Sequence, residues 1–301
     1  VGPLVEVSHV VAEWAFTLGL KRLREAGENS NQSEIARRIG KSRATIGHYE
    51  MGRYLPSHES LDIMLDAYGH PERAGYYREL RDRVETRVRD WWEDLFPDGF
   101  PPYPLALLAG MESSAVRMHV FEPNVVPELL RTPEYAEHVV RAGLPTHDAE
   151  SRARHLRMLA GRQEVLERDE PPELQCVVEE AVLRRTVGSA EILARQVAHL
   201  EELTHAPHIE IRILTDGSAG ACPAAGAFTE LVLPSEAIRD FGEVVWVSTP
   251  VDRIHHESSG ELDVFHALWR AVAGNALSPE DSRAFLGEVA HELRHPPARS
   301  A

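Results

Sequence analysis

Apolar side chains recur at helical spacing from the start of the chain. Val11, Trp14, Ala15 and Leu18, then Leu20 and Leu23, predict a helix over 11–26 that Gly27 ends. Asn31, with Glu34 three residues on, has the pattern of a capping box for a second helix from Gln32 to about Ile39. Gly40 suits a left-handed stop, and Ser42 is placed to cap a third helix opening at Arg43. "GRYLPS" breaks the pattern. Residues 57–68 then read as a fourth helix with Leu61, Met64, Leu65 and Tyr68 inward. A fifth is predicted over 72–96, with Tyr77, Leu80, Val84, Val88, Trp91 and Leu95 along one stripe. "FPDGFPPYP" interrupts regular structure.

Past this break the periodicity changes. Helices are expected over 112–117, 132–142, 147–168 and 189–205, while "LQCVVEEAVL" fits a strand or a short helix. The runs "IEIRIL", "AFTELVLP", "EVVWVS" and "DRIHHE" read as strands, and helices at about 260–276 and 279–293 follow. The fold class expected is α+β. An all-α N-terminal bundle spans 11–96 and a linker 97–125. A mixed α/β domain with one sheet packed by helices spans 126–295.

Composition changes this picture little. The chain of 301 residues is 43% hydrophobic and 27% charged, a length that suits two domains. No apolar run is long enough for a bilayer, and no basic segment followed by an apolar block is present, so a cytoplasmic location is expected. Two distant cysteines, Cys176 and Cys222, are expected to be reduced and without a chemical role.

Charge is more informative. The net charge is −16, yet residues 1–90 balance to zero and residues 21–53 carry eight cations against four anions. The acidity belongs to residues 91–301. Screening over about 8 Å at physiological salt lets a locally basic face meet phosphate despite it. The acidic remainder weakens long-range attraction.

The segment "QSEIARRIGKSRATIGHYEM" meets the steric needs of two helices crossing over a tight turn. Ala36 is the small residue at the crossing and Gly40 the turn residue; Ile35, Ile39, Ile46 and Tyr49 supply the buried faces. Lys41 stands where an apolar residue is usual. With Gln32, Glu50 and Gly52 in their places, the segment resembles the helix-turn-helix regulators of the xenobiotic-response-element, lambda repressor-like, family. That resemblance implies binding to double-stranded DNA. Ser42, Arg43, Ala44, Gly47 and His48 would face the bases, and Gln32 and Arg53 the phosphates. Gly47 and His48 depart from the Ser and the Arg or Lys common at those places, which gives a weaker reading surface.

The remaining blocks, among them "DWWEDLFPDG", "VFEPNVVPELLRTPEYAEHVV", "RQEVLER" and "ALSPEDSRAFLGEV", resemble in order a C-terminal domain of unassigned function. It follows this type of helix-turn-helix in actinobacterial regulators, some described as antitoxin-like. Arg131 and Ser248 replace a common Gln and Glu. The resemblance implies a transcriptional regulator; a homodimer is expected because one module buries little surface, and the domain order leads to the expectation that the C-terminal domain takes a small ligand or a small toxin-like protein partner. An enzyme or small-molecule-binding protein with a vestigial regulator architecture is the alternative, and an antitoxin-like partner-binding protein a third.

Chemistry-bearing motifs are few. No catalytic residue, metal or cofactor is expected: the chain lacks a phosphate loop, a dinucleotide fingerprint and a Gly-x-Ser-x-Gly elbow. In His255-His256-Glu257 the two imidazoles of a strand point to opposite faces and cannot share one ion. Trp246, Ser248 and His255 are the candidate ligand-binding residues.

Overall fold

The computed structural model describes residues 7–27, 31–96, 103–218, 226–248 and 253–295. Cys222 and most of the Gly- and Pro-rich breaks lie outside them. The chain divides into two compact units: residues 1–93, 106–114 and 234–242, and the remainder. Among the described residues no helix is long and apolar enough to cross a membrane.

Unit one is helical. It contains α1 (His9–Ala26), α2 (Gln32–Arg38), α3 (Arg43–Glu50), α4 (His58–Ala67), α5 (Ala74–Thr86) and the body of α6 (Tyr103–Ser114). The caps explain its boundaries. Asn31, Ser42 and Ser57 each accept a hydrogen bond from the backbone N–H three residues on. Three helices in succession end the same way, on a glycine of positive φ: Gly40 after α2, Gly52 after α3, Gly69 after α4. In each, the N–H beyond the glycine returns to a carbonyl of the last turn: Lys41 to Ala36 at 2.8 Å, Arg53 to His48 at 2.9 Å, His70 to Leu65 at 2.8 Å. Ile35, Ala36, Ile46, Tyr49, Leu61, Met64 and Leu65 form the buried face of this group. Ile39 is half-buried, and Lys41 is exposed.

Two predicted elements differ. The single helix expected over 72–96 is α5 followed by a separate 3₁₀ turn, Trp91–Leu95. Arg87 adopts φ +40 and ends α5, so Val88 and Trp91 leave the stripe and are exposed. Asp90, beyond the break, accepts the N–H groups of His9 and Val10 at the start of α1. The second difference is the stretch 97–125, expected as a linker, which holds α6 and a strand, and the helix expected over 112–117 ends at Ser114. Leu105 to Ala109 and Met111 are all buried. A helix apolar on every side lacks the two-faced pattern that marks a surface helix.

α6 approaches α1 closely through Gly110. A Cβ there would lie 2.5 Å from Val10 Cγ1 and from Ser8 Oγ. Ser8 donates its backbone N–H to Ser114 Oγ at 3.2 Å. Residues 234–242 complete the unit. Phe241 packs against Trp14 with centroids 4.6 Å apart, and Asp240 accepts from Tyr77 Oη at 2.8 Å and pairs with Arg73 at 2.7 Å.

Unit two is built on a six-stranded mixed sheet of order β3-β2-β1-β4-β5-β6. Its elements are β1 (Arg117–Glu122), α7 (Pro133–Gly143), α8 (Ala149–Gln163), β2 (Glu173–Glu179), α9 (Glu180–Arg184), α10 (Ala190–Leu203), β3 (Ile209–Leu214), β4 (Phe228–Val232), β5 (Glu243–Ser248), β6 (Arg253–His256), α11 (Ser259–Asn275) and α12 (Pro279–Arg294). β1, β2 and β3 run parallel, and β4, β5 and β6 are joined antiparallel. The fold is α+β as expected: a helical region followed by a mixed sheet packed by helices.

Alternation assigns the two faces. One carries Phe121, Val177, Leu214, Phe228 and Val245 under Val272, Leu268 and Trp269 of α11. The other carries Met118, Leu174, Cys176, Ile211, Ile213, Leu231 and Val244, all buried. Burial pushes the Cys176 thiol up, so it stays protonated. Gln196 of α10 is buried, with Oε1 accepting from Thr132 N at 2.7 Å and Nε2 donating to Leu130 O at 2.8 Å. Arg131 is also buried and donates from Nε to Val126 O at 2.7 Å.

Candidate nucleic-acid interface

α2 and α3 form the two-helix element. Ser42, Arg43 and Ala44, at the N-terminal turn of α3, are all exposed, while Gly47 and His48 are half-buried. Ser42 is engaged as the cap, accepting from Thr45 N at 3.2 Å. Arg53 follows the glycine that ends α3 and is exposed. His48 meets Tyr54 edge-on at 5.5 Å; Tyr54 and Met51 are exposed apolar groups beside the helix. These two were not among the sequence-predicted residues.

One polar relay fixes α3 against its neighbours. Glu50 at the end of α3 has a side chain only 5% exposed. It receives Arg24 of α1 in two-pronged fashion, Nε to Oε1 at 2.5 Å and Nη2 to Oε2 at 3.1 Å. Gln32, opening α2, donates from Nε2 to the same carboxylate at 2.9 Å and accepts from Arg43 Nε at 3.4 Å. The chain Arg24–Glu50–Gln32–Arg43 ties three helices together and leads out to the exposed Arg43. Glu50 was visible in the sequence as a motif position, but its partner Arg24 lies 26 residues away and no local spacing reveals the pair.

The flanking cations are partly compensated. Arg37 and Arg38 lie 3.5 and 3.9 Å from Glu34, which therefore lowers the charge of α2's exposed face. Lys41, Arg43 and Arg53 are exposed beside them.

In unit two, the three candidate ligand residues share one face of the sheet. Trp246 pairs across strands with His255, their rings stacked 5.8 Å apart, and Ser248 lies two residues along β5, exposed. Trp246 is buried and its indole N–H has no hydrogen-bond partner. His256, next to His255, packs instead against Phe265 of α11 and pairs with Glu261 at 3.0 Å. The alternation of faces separates the two imidazoles as expected. Trp269 lies on the face opposite Trp246, stacked on His119.

A short turn between two capped helices, the second presenting its first turn to solvent, defines a helix-turn-helix domain. A family model described as "Helix-turn-helix domain" matches residues 16–74, and such a domain suggests DNA binding. A second model matches residues 105–288, well over half of the chain. The protein belongs to that family, "Domain of unknown function (DUF5753)". No curated protein and no solved structure matches the chain.

Proposed function

We propose that the protein is a transcriptional regulator that binds double-stranded DNA as a homodimer. The reading rests on the exposed turn of α3, with Ser42, Arg43 and Ala44 outward on a helix held by the Glu50 relay. α3 enters the major groove with these residues, Gly47 and His48 toward the bases. Arg43 pairs with guanine, which supplies roughly 1–3 kcal/mol of discrimination. Gln32 and Arg53 hold phosphate on either side. One such module buries little surface, so a two-fold pair on a palindromic site is the economical arrangement. Unit two takes the effector, a small ligand or a protein partner. The unpaired indole N–H of Trp246, with Ser248 and His255 along the same face, supports a small ligand that carries an acceptor.

Selection from random duplex DNA at two salt concentrations tests this reading. The expected result is an enriched palindrome, weakened by salt and lost with Arg43→Ala. Absence of enrichment even at low salt overturns it.

A further inference from the structure

On the sheet face beneath α11, four titratable side chains from four elements meet: His119 of β1, Glu230 of β4, Glu243 of β5 and His266 of α11. Glu230 is the centre. Its side chain is 4% exposed, and an isolated carboxylate would not be stable there. His266 Nε2 lies 2.8 Å from Glu230 Oε1 and 3.0 Å from Glu243 Oε2. His119 Nδ1 meets the other oxygen of Glu230 at 3.0 Å, and its ring is stacked on Trp269, 4.5 Å between centroids and 4° between planes.

One imidazole nitrogen carries at most one hydrogen, and one N–H points well at one oxygen. Two carboxylates from different strands nevertheless converge on His266 Nε2. A cation between the three groups removes their mutual repulsion and takes one lone pair from each ligand atom. The two distances from His266 fit: ligands about 2.1 Å from an ion lie about 3.0 Å apart as octahedral neighbours. The ligand atoms of Glu230, Glu243 and His266 lie within 4.8 Å of one another. His119 then has the place of an outer residue that orients the ligand Glu230, held in turn by Trp269. Access exists, since His266 is 30% and Glu243 37% exposed.

We infer that unit two holds a divalent first-row transition ion, such as manganese or zinc, on Glu230, Glu243 and His266, with His119 as a positioning residue. Two carboxylates match the charge of the ion, and the imidazole favours a transition metal over magnesium or calcium. The inference is independent of DNA binding. The sequence pointed to no metal because the ligands are spread over residues 230–266, and only the pairing of β4 with β5 and the packing of α11 on the sheet bring them together.

The test uses the full chain, stripped with chelator and desalted, then titrated calorimetrically with manganese or zinc chloride. One equivalent per chain is expected. Glu243→Gln and His266→Ala, at the more exposed positions, should each weaken uptake at least tenfold. His119→Phe, which keeps the stacking on Trp269, should weaken it by about tenfold. Circular dichroism of the metal-free variants should match the parent, and metal should raise the melting temperature of the parent alone. No uptake at millimolar metal overturns the inference, and so does unchanged uptake by either the Glu243 or the His266 variant.

Discussion

At the scale of single residues, Gly47 and Asp90 each carry a cost that a substitution can remove. Gly47 sits in the middle of α3, where a Cβ would meet only Gln32 Nε2 at 3.9 Å, ordinary contact. Its φ is not in the left-handed region, so alanine fits without strain. Gly47→Ala should therefore stabilise the protein by about 1 kcal/mol, read as a higher urea midpoint with unchanged slope. A lower midpoint would mean that the methyl disturbs Gln32. Asp90 has a carboxyl pushed up to about 6, by burial and then by Glu93, against the 3.8 of a free Asp. Between those values the folded state holds more proton than the unfolded state, so this group makes stability fall as pH rises from about 4 to 6. His9 acts in the opposite sense, because burial lowers its pKa and its folded form resists protonation. Asn at position 90 keeps an acceptor for the α1 N–H groups without the charge. Asp90→Asn should thus gain melting temperature over the parent at pH 7.5 and lose that gain at pH 4.5; a gain equal at both pH values would refute the assignment.

At the scale of elements, what was legible in the sequence is what local chemistry dictates. Asn31, Ser42, Gly40 and Gly52 set the edges of α2 and α3, and each works within four residues of chain. The strands β3 to β6 and helices α10 to α12 were legible from periodicity for the same reason. α6 and β1 were not, because α6 is apolar all round and β1, "RMHVFE", alternates too briefly between half-buried and buried positions to stand out. The break at Arg87 was hidden too, since its cause is a single left-handed residue and a contact from Asp90 to α1. The same divide applies to the candidate interface: the exposed residues of α3 follow from the motif, whereas the Arg24–Glu50–Gln32 relay needs the packed helices. Glu50→Ala would strip the Arg24 guanidinium, 14% exposed, of its two-pronged partner and leave it the exposed Glu25 carboxylate at 3.3 Å. Breaking a pair this buried costs roughly 3 kcal/mol. The variant should unfold at lower urea and, at temperatures where it remains folded, bind a selected site more weakly than the parent. Unchanged stability would show that solvent compensates Arg24 and that the relay does not hold α3.

At the scale of the whole chain, the proposed function raises the question of how a protein of net charge −16 would bind a polyanion. The charge balance of residues 1–90 and the cations on α2, α3 and the turn after them give a local answer. Beside Arg43, four exposed cations would meet phosphate on the proposed reading: Arg37, Arg38, Lys41 and Arg53. Glu34 lies within 4 Å of the first two and offsets part of their charge. If three or four phosphates are neutralised per protomer, log K should fall against log salt with a slope of about −2.7 to −3.6, doubled for a dimer. The acidic excess of residues 91–301 adds repulsion that discriminates against non-specific duplex, where no base contact offsets it. Fluorescence anisotropy on a selected site and on a scrambled duplex, from 50 to 200 mM salt, measures both. Glu34→Gln should steepen the slope, since it frees two arginines for phosphate. A slope near zero on the selected site would mean that α3 does not approach the backbone at all, and DNA recognition by this helix would have to be abandoned.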